Sequence, residues 1–289
     1  MENRAKAILV FLLFIGAVVS SYFALETYIE AKLVEKFSKR IKELPFNVSC
    51  AEIDYSLLKN TITLKDINTN ILGMNISVKA VEIDLPFTAR KKELPDRMLI
   101  KVIGLEFPSS LIGITNTPRT IVNLVTGYSF EDDSLQVMLK TSVSSLGDLS
   151  LLCKLKNLSK RKLERALAGV ISERRTIRET KIEYLALKYK DRGFVHEYFK
   201  QQALEEGISV EELKKKLITS INESINKDKV LMERIGQPLI EFIENPHCIE
   251  LIAYPVLPIS LKELSLLLNG HPDLRKTAVW LGIKFKVCK

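Results

Sequence analysis

His247-Cys248 is the one point in the sequence where a histidine and a cysteine adjoin, and it makes a poor metal site. In an extended segment neighbouring side chains point to opposite faces, so the two cannot grip one ion together. His196 and His271 lie far from each other and from His247, so no pair shares one turn of helix. Glu131-Asp132-Asp133 offers carboxylates for a cation, but a run of acids between two strand-like segments reads first as a solvated turn. No two of the twelve glycines fall within five residues of each other, which excludes a glycine-rich phosphate cradle. No serine stands in a nucleophile-elbow pattern. The expectation is a protein that is not an enzyme, with no catalytic residues, no metal and no cofactor.

The cysteines say more. Cys248 opens the run CIELIAY, and Cys288 follows the alternating run LGIKFKV at the chain's end. Antiparallel pairing of those runs would set the two sulfurs side by side on one face. The pattern admits either a Cys248–Cys288 disulfide, which suits an oxidising compartment, or two thiols. Cys50 stands on a polar strand face and Cys153 on an apolar one, which argues against their pairing. Asn47, Asn75, Asn157 and Asn222 each begin an Asn-x-Ser triplet, relevant only to a eukaryotic secretory chain.

The elements around these residues begin with a hydrophobic run. Residues 7–25 carry no charge over nineteen positions, and a helix of that length rises about 28 Å, close to the hydrocarbon thickness of a bilayer. A cleavable signal peptide would have an apolar core of about 7–15 residues and a small-x-small cleavage site. Neither feature fits well here, so the expectation is an uncleaved anchor containing Ala7, Leu12, Phe14, Val18 and Leu25. Leu25, Ile29, Leu33, Phe37 and Ile41 then recur every four residues up to Pro45, extending the anchor into an amphipathic stalk. Arg4 and Lys6 precede the run, and large domains translocate largely regardless of charge. The expected topology is single-pass in an inner membrane, with the C-terminal bulk in the periplasm.

Beyond Pro45 the period becomes that of strands: Val48–Tyr55, Thr61–Ile71, Asn75–Leu85 and Met98–Phe107, separated by turn residues. Three of these runs change phase part way. Ile62 and Leu64 give way to Ile67; Ile76, Val78 and Ala80 give way to Val81 and Ile83; Ile100 and Val102 give way to Ile103, Leu105 and Phe107. One extra residue in a strand is a bulge, which bends and twists the sheet. Phase changes at matching depth predict a crease across a curved sheet, with Ile62, Leu64, Ile76, Val78, Ile83, Ile100, Val102 and Leu105 forming an apolar groove. Burial of both faces would account for the pattern equally.

Thr120–Val125 is ambiguous between helix and strand. Ser134–Val143 and Leu149–Leu158 read as strands, Ser159–Ile171 as a helix and Lys181–Tyr189 as a strand. Helices are expected over Phe194–Glu206, Ser209–Ile225 and Asp228–Glu244. Ser209 with Glu212, and Ser260 with Glu263, have the spacing of capping boxes. The fold class is α+β, a curved and mostly antiparallel sheet with an inserted helical segment behind an N-terminal transmembrane helix and stalk. Its parts are an anchor (1–25), a stalk (26–45), a β-rich half (46–157), a mostly helical insertion (158–245) and a strand-helix-strand completion (246–289). The net charge of +8 is localised: residues 154–192 hold thirteen Lys or Arg against five acids, and the remainder is neutral. Such a patch could face anionic lipid or a nucleic acid, or be a solvated helical face. No nucleic-acid partner is expected.

The anchor followed by IDYSLLKNTITLKDINTNILGMNISVKAVEIDL resembles the start of the AsmA and TamB-like family of bacterial envelope proteins. YKDRGFVHEYFKQQALEEGIS and IENPHCIELIAYPVLPISLKEL are similar to segments of short bacterial proteins of that organisation. The resemblance implies an inner-membrane helix and a periplasmic β-rich groove lined by apolar side chains, concerned with lipid movement and envelope integrity. It implies no catalytic residues. This chain is too short to bridge two membranes, and its helical segment departs from the pattern. Membrane lipid is the expected partner. A structural or assembly factor docking a membrane protein through its helices is the alternative, and an enzyme with an unsigned site the second. Nothing in the sequence specifies an oligomeric state.

Overall fold

The structure, a computed structural model, describes Glu35 and residues 48–71, 73–84, 94–109, 118–144, 146–225, 228–260, 262–264 and 274–288. The predicted anchor, with Ala7, Leu12, Phe14, Val18 and Leu25, lies outside the described residues, as does the stalk apart from Glu35. Among the described residues no helix is long and apolar enough to cross a membrane.

The alternating runs fold as their period requires. β1 (Val48–Ser49) and β2 (Glu52–Ser56) share one neighbour, β3 (Thr61–Ile71). Val48–Tyr55 is therefore two strands rather than one, interrupted at Cys50 and Ala51. β4 (Met74–Asp84), β5 (Arg97–Pro108), β6 (Arg119–Glu131), β7 (Ser134–Val143) and β8 (Gly147–Lys156) follow as a meander. The ambiguous Thr120–Val125 is the first half of β6, whose thirteen residues are held between β5 and β7. Pairing on both sides decides what local preference leaves open.

After β8 come α1 (Lys160–Leu167) and α2 (Glu173–Glu179), then β9 (Lys181–Asp191). β9 pairs with β8 on one side and β10 (Cys248–Ala253) on the other, so the mostly helical stretch contributes a central strand to the sheet. α3 (Phe194–Glu206) and α4 (Val210–Ile225) form a helical pair. α5 (Lys229–Leu231) runs through a π-helical turn at Met232–Gly236 into α6 (Gln237–Glu244). The chain closes with β11 (Ile259–Ser260), α7 (Leu274–Trp280) and β12 (Lys284–Val287). α7 is absent from the sequence reading, which takes Leu281–Val287 whole as a strand.

All twelve strands belong to one open antiparallel sheet, in the order β1-β3-β4-β5-β6-β7-β8-β9-β10-β12, with β2 on β3 and β11 on β9. The chain is α+β. One cluster of buried side chains lies among the helices, where Phe199, Ala203 and Leu213 pack with Val195, Ile208 and Ile243, and further buried side chains such as Ile53, Ile62 and Leu135 lie in the sheet. Both capping boxes form: the Ser209 N–H donates to Glu212 Oε2 at 2.8 Å, and the Ser260 N–H to Glu263 Oε2 at 2.8 Å. Ile208 and Leu213 meet in the same cluster, as a hydrophobic staple should.

Candidate functional site

The register of the sheet shows what the phase changes do. Lys65 pairs with Ala80 and Ile67 with Val78, so Asp66 stands opposite Lys79. Val78 pairs with Leu105 and Ala80 with Ile103, so Lys79 stands opposite Gly104. Between β5 and β6 the register slips by one residue, with Ile103 and Gly104 facing Asn123 alone. Asp66 and Gly104 have φ of 49° and 62°, and the Gly104 N–H donates to Asn123 Oδ1 at 2.8 Å. One crease thus crosses β3, β4 and β5 and ends as a bulge against β6. A Cβ at position 104 would lie 3.0 Å from Lys79 Cβ, so close approach and backbone conformation both call for glycine here.

β6 itself is regular, so Leu124 and Val122 share a face. Their partners Val102 and Leu105 must then share it too, followed by Val81 with Val78 and Leu64 with Ile67. The apolar side does not change faces. The crease cancels the change of phase, and both parities of the sequence end on the same side. Ile62, Leu64, Ile76, Val78, Ile83, Ile100, Val102 and Leu105 all lie on it; Ile62 is buried and the other seven are half-buried.

The row continues past the creased strands. Ile62, Ile83, Ile100, Thr126, Leu139, Leu151, Leu187, Leu251 and Phe285 are successive cross-strand partners from β3 to β12. Eight interstrand steps of about 4.8 Å make this band about 38 Å across, with Thr126 its one polar member. The neighbouring row, beyond it towards the crease, carries Leu64, Val81, Val102, Leu124, Thr141, Leu149, Tyr189, Ile249 and Val287.

Helices cover the two ends of this face. Phe242 of α6 meets Tyr189 edge-on, with ring centroids 6.4 Å apart. Burial and the Asp191 carboxylate, 2.8 Å away, hold the Tyr189 hydroxyl protonated far above the usual phenol range. At the other end, Leu163 of α1 closes a cavity of about 210 Å³ over Ile100, Tyr128, Phe130, Leu135 and Val137. α1 is tied there by Lys160 to Asp96 at 2.8 Å, and by the Leu94 N–H, which donates to Glu164 at 2.9 Å.

On β2 to β5 the opposite face carries ion-pair ladders. Lys65 bridges Glu52 and Asp54, and Lys101 bridges Glu82 and Asp84. The Glu82 carboxylate, 2.9 Å away, raises the Lys101 ammonium above its ordinary value, although desolvation opposes it. A larger cavity of about 740 Å³ lies on this side, between Thr61, Thr63, Asp84, Lys101, Ser129 and Gln136. These polar side chains share the lining with Met98, Leu99 and Met138, and the sequence reading missed the hollow. The alternating Thr61, Thr63, Glu82, Asp84 and Lys101 would have been the signal.

Cys248 and Cys288 are joined in a disulfide across the β10–β12 edge, where the Cys288 N–H also donates to the Cys248 carbonyl. With its sulfur bonded, Cys248 is no ligand beside His247. Cys50 and Cys153 are free thiols, and burial pushes the Cys153 thiol up. Glu131, Asp132 and Asp133 form the β6–β7 turn. Among the described residues no group of three His, Cys, Asp or Glu side chains could hold a metal.

A family model described as "Uncharacterized protein" matches residues 140–285, just over half of the 289 residues. The chain belongs to that family. The matched span opens within β7 and closes within β12, taking in every described helix after residue 159 and the disulfide's Cys248. The creased strands β3 to β5 precede it. No curated protein and no solved structure matches the chain.

Proposed function

We propose that this is a non-enzymatic, membrane-anchored envelope protein whose sheet holds the acyl chains of membrane lipid against its apolar face. The observation that carries the reading is the apolar band from Ile62 to Phe285, broken only by Thr126. An apolar surface of that extent, left half-buried, belongs to a protein that covers it with something else. Acyl chains fit because the face offers breadth with few hydrogen-bonding groups, and the Thr126 and Tyr189 hydroxyls on it already donate to the Met138 and Leu146 carbonyls. The Cys248–Cys288 disulfide accords with a periplasmic location. The uncharged run at residues 7–25 supplies the tether, and the AsmA and TamB-like resemblance belongs to the same reading. In this proposal the crease serves to keep the band continuous.

Native mass spectrometry of the full chain extracted in detergent tests it. Phospholipid is expected to co-purify, and Val102→Asp on the apolar face is expected to abolish it while the disulfide still forms. A lipid-free spectrum of the unaltered protein overturns the reading.

A second reading, a factor that docks a membrane protein through its helices, is favoured by the outer side of α3 and α4. Leu204 there is 82% exposed, with Tyr198 and Phe194 also open to solvent. Crosslinking in cells that recovers a specific partner through Leu204→Cys would favour this second reading.

A further inference from the structure

The hairpin of α1 and α2 has two apolar sides, and one of them is turned to solvent. Inward it sets Leu163 over the apolar face of the sheet and buries Ala166, Thr176 and Thr180. Three other large aliphatic side chains face solvent: Leu167 is 63% exposed, Val170 64% and Ile177 54%. An ordinary surface helix turns such side chains to the core. Around them stand Arg161, Arg165, Arg174 and Arg178, all exposed and without an ion-pair partner among the described residues. Two nearby acids are occupied elsewhere. Glu164 accepts from the Leu94 N–H, and Glu179 takes Arg175 and Lys162, each at 2.8 Å. The sequence from 160 to 179 holds seven basic residues and three acidic ones, an excess of four positive charges.

We propose that this hairpin lies on an anionic lipid bilayer, its arginines among the headgroup phosphates and Leu167, Val170 and Ile177 at the acyl boundary. Interfacial helices combine these two features, basic side chains and outward aliphatics, on one surface. Unpaired arginines alone would suit a nucleic acid equally well. The aliphatic side chains decide against it, since phosphate contacts leave them nothing apolar to bury against. The end of β9 that follows the hairpin exposes further apolar side chains. Ala253 pairs with Leu185 and Ser260 with Lys181, so the loop between them emerges beside α2. That loop carries Val256, 72% exposed, and Leu257, 68% exposed. The proposal does not depend on lipid being held by the sheet.

Hydrogen–deuterium exchange of the full chain tests it, in bilayer nanodiscs of phosphatidylcholine alone and of phosphatidylcholine mixed with phosphatidylglycerol. Amides of residues 160–179 are expected to slow on the anionic bilayer only. Arg161→Glu, Arg165→Glu, Arg174→Glu and Arg178→Glu together are expected to remove the protection, about fivefold for each positive charge lost. The same four positions changed to Lys are expected to retain it, which separates charge from fold. Leu167→Ser with Val170→Ser and Ile177→Ser is expected to weaken it at unchanged charge. Equal exchange on both bilayers overturns the proposal. So does slowing produced by a duplex oligonucleotide without lipid, or by raising the protein concentration without lipid. Co-purified phospholipid in the earlier mass spectrum bears on the sheet alone, so the two readings can fail separately.

Discussion

Glu179 shows how a half-buried surface carboxylate can be tuned by its partners. Arg175 and Lys162 both donate to it, and together they hold its carboxyl at about 2 against an ordinary value of 4.5. Because the folded value is depressed, the ionised pair stabilises α2 fully above about pH 4.5, and the contribution is lost as pH falls through about 2. A carboxyl-carbon NMR titration is expected to give that low midpoint, and Arg175→Gln is expected to move it up towards 4.5. An unmoved midpoint would mean the pair is not formed in solution. Gly104 is the other position where one side chain decides much. Its φ of 62° and the 3.0 Å approach to Lys79 leave no comfortable place for a Cβ. Gly104→Ala is expected to cost about 1–2 kcal/mol by urea denaturation. Gly73→Ala, also at positive φ but with nothing within 4 Å, isolates the backbone part of that cost.

Helix α4 and the β10–β12 pair illustrate two ways of holding an element in place. α4 starts at a reciprocal cap: the Glu212 N–H donates to Ser209 Oγ at 3.2 Å, while the Ser209 N–H donates back to Glu212. Ser209→Ala is expected to lower stability by about 1 kcal/mol, read by thermal unfolding of the helical signal. The β10–β12 pair is only four residue pairs long and forms one edge of the sheet, so hydrogen bonds alone hold it weakly. The disulfide closes a loop with a sequence separation of 40 and restricts the unfolded chain. The chain-entropy relation puts that restriction at about 4 kcal/mol. Reduction is therefore expected to lower the urea midpoint markedly, and Cys248→Ser with Cys288→Ser to reproduce the shift. If neither treatment moves the midpoint, the bond does not stabilise this edge.

Across the molecule the sheet behaves as a row of strands in which each touches only its neighbours, while the buried cluster belongs to α3, α4 and α6. Opening should therefore begin at the margins rather than everywhere at once. The margins differ. β12 is tied by the disulfide and packed by α6, whereas β1 and β2 are short and split at Cys50 and Ala51. Hydrogen exchange is expected to be fastest in β1 and β2, slowest in β6 to β8, and intermediate in β12 until reduction. Equal rates at both margins would contradict this picture.

What could be read without the structure followed distance along the chain. Period-two alternation, turn residues and capping spacings are local, so β3, β4, β7 and the start of α4 stand within a residue or two of where they were expected. The proximity of Cys248 and Cys288 needed only the assumption of antiparallel pairing. The faces were a different matter. Parity along β3, β4 or β5 says that side chains change sides, but not whether the backbone turns back at the same point. That depends on left-handed residues at Asp66 and Gly104 and on a register slip against β6, which are settled by hydrogen bonds between strands. The polar cavity between β3 and β7 and the outward aliphatics of α1 and α2 were equally out of reach. Each is made by residues from segments whose relative placement no local pattern encodes. The sequence alone thus determined most of the strands and both caps, and brought Cys248 and Cys288 within reach of each other without deciding between disulfide and thiols. Tertiary pairing alone decided that two phases of alternation make one apolar face, because a face is a property of neighbouring strands and not of any one of them.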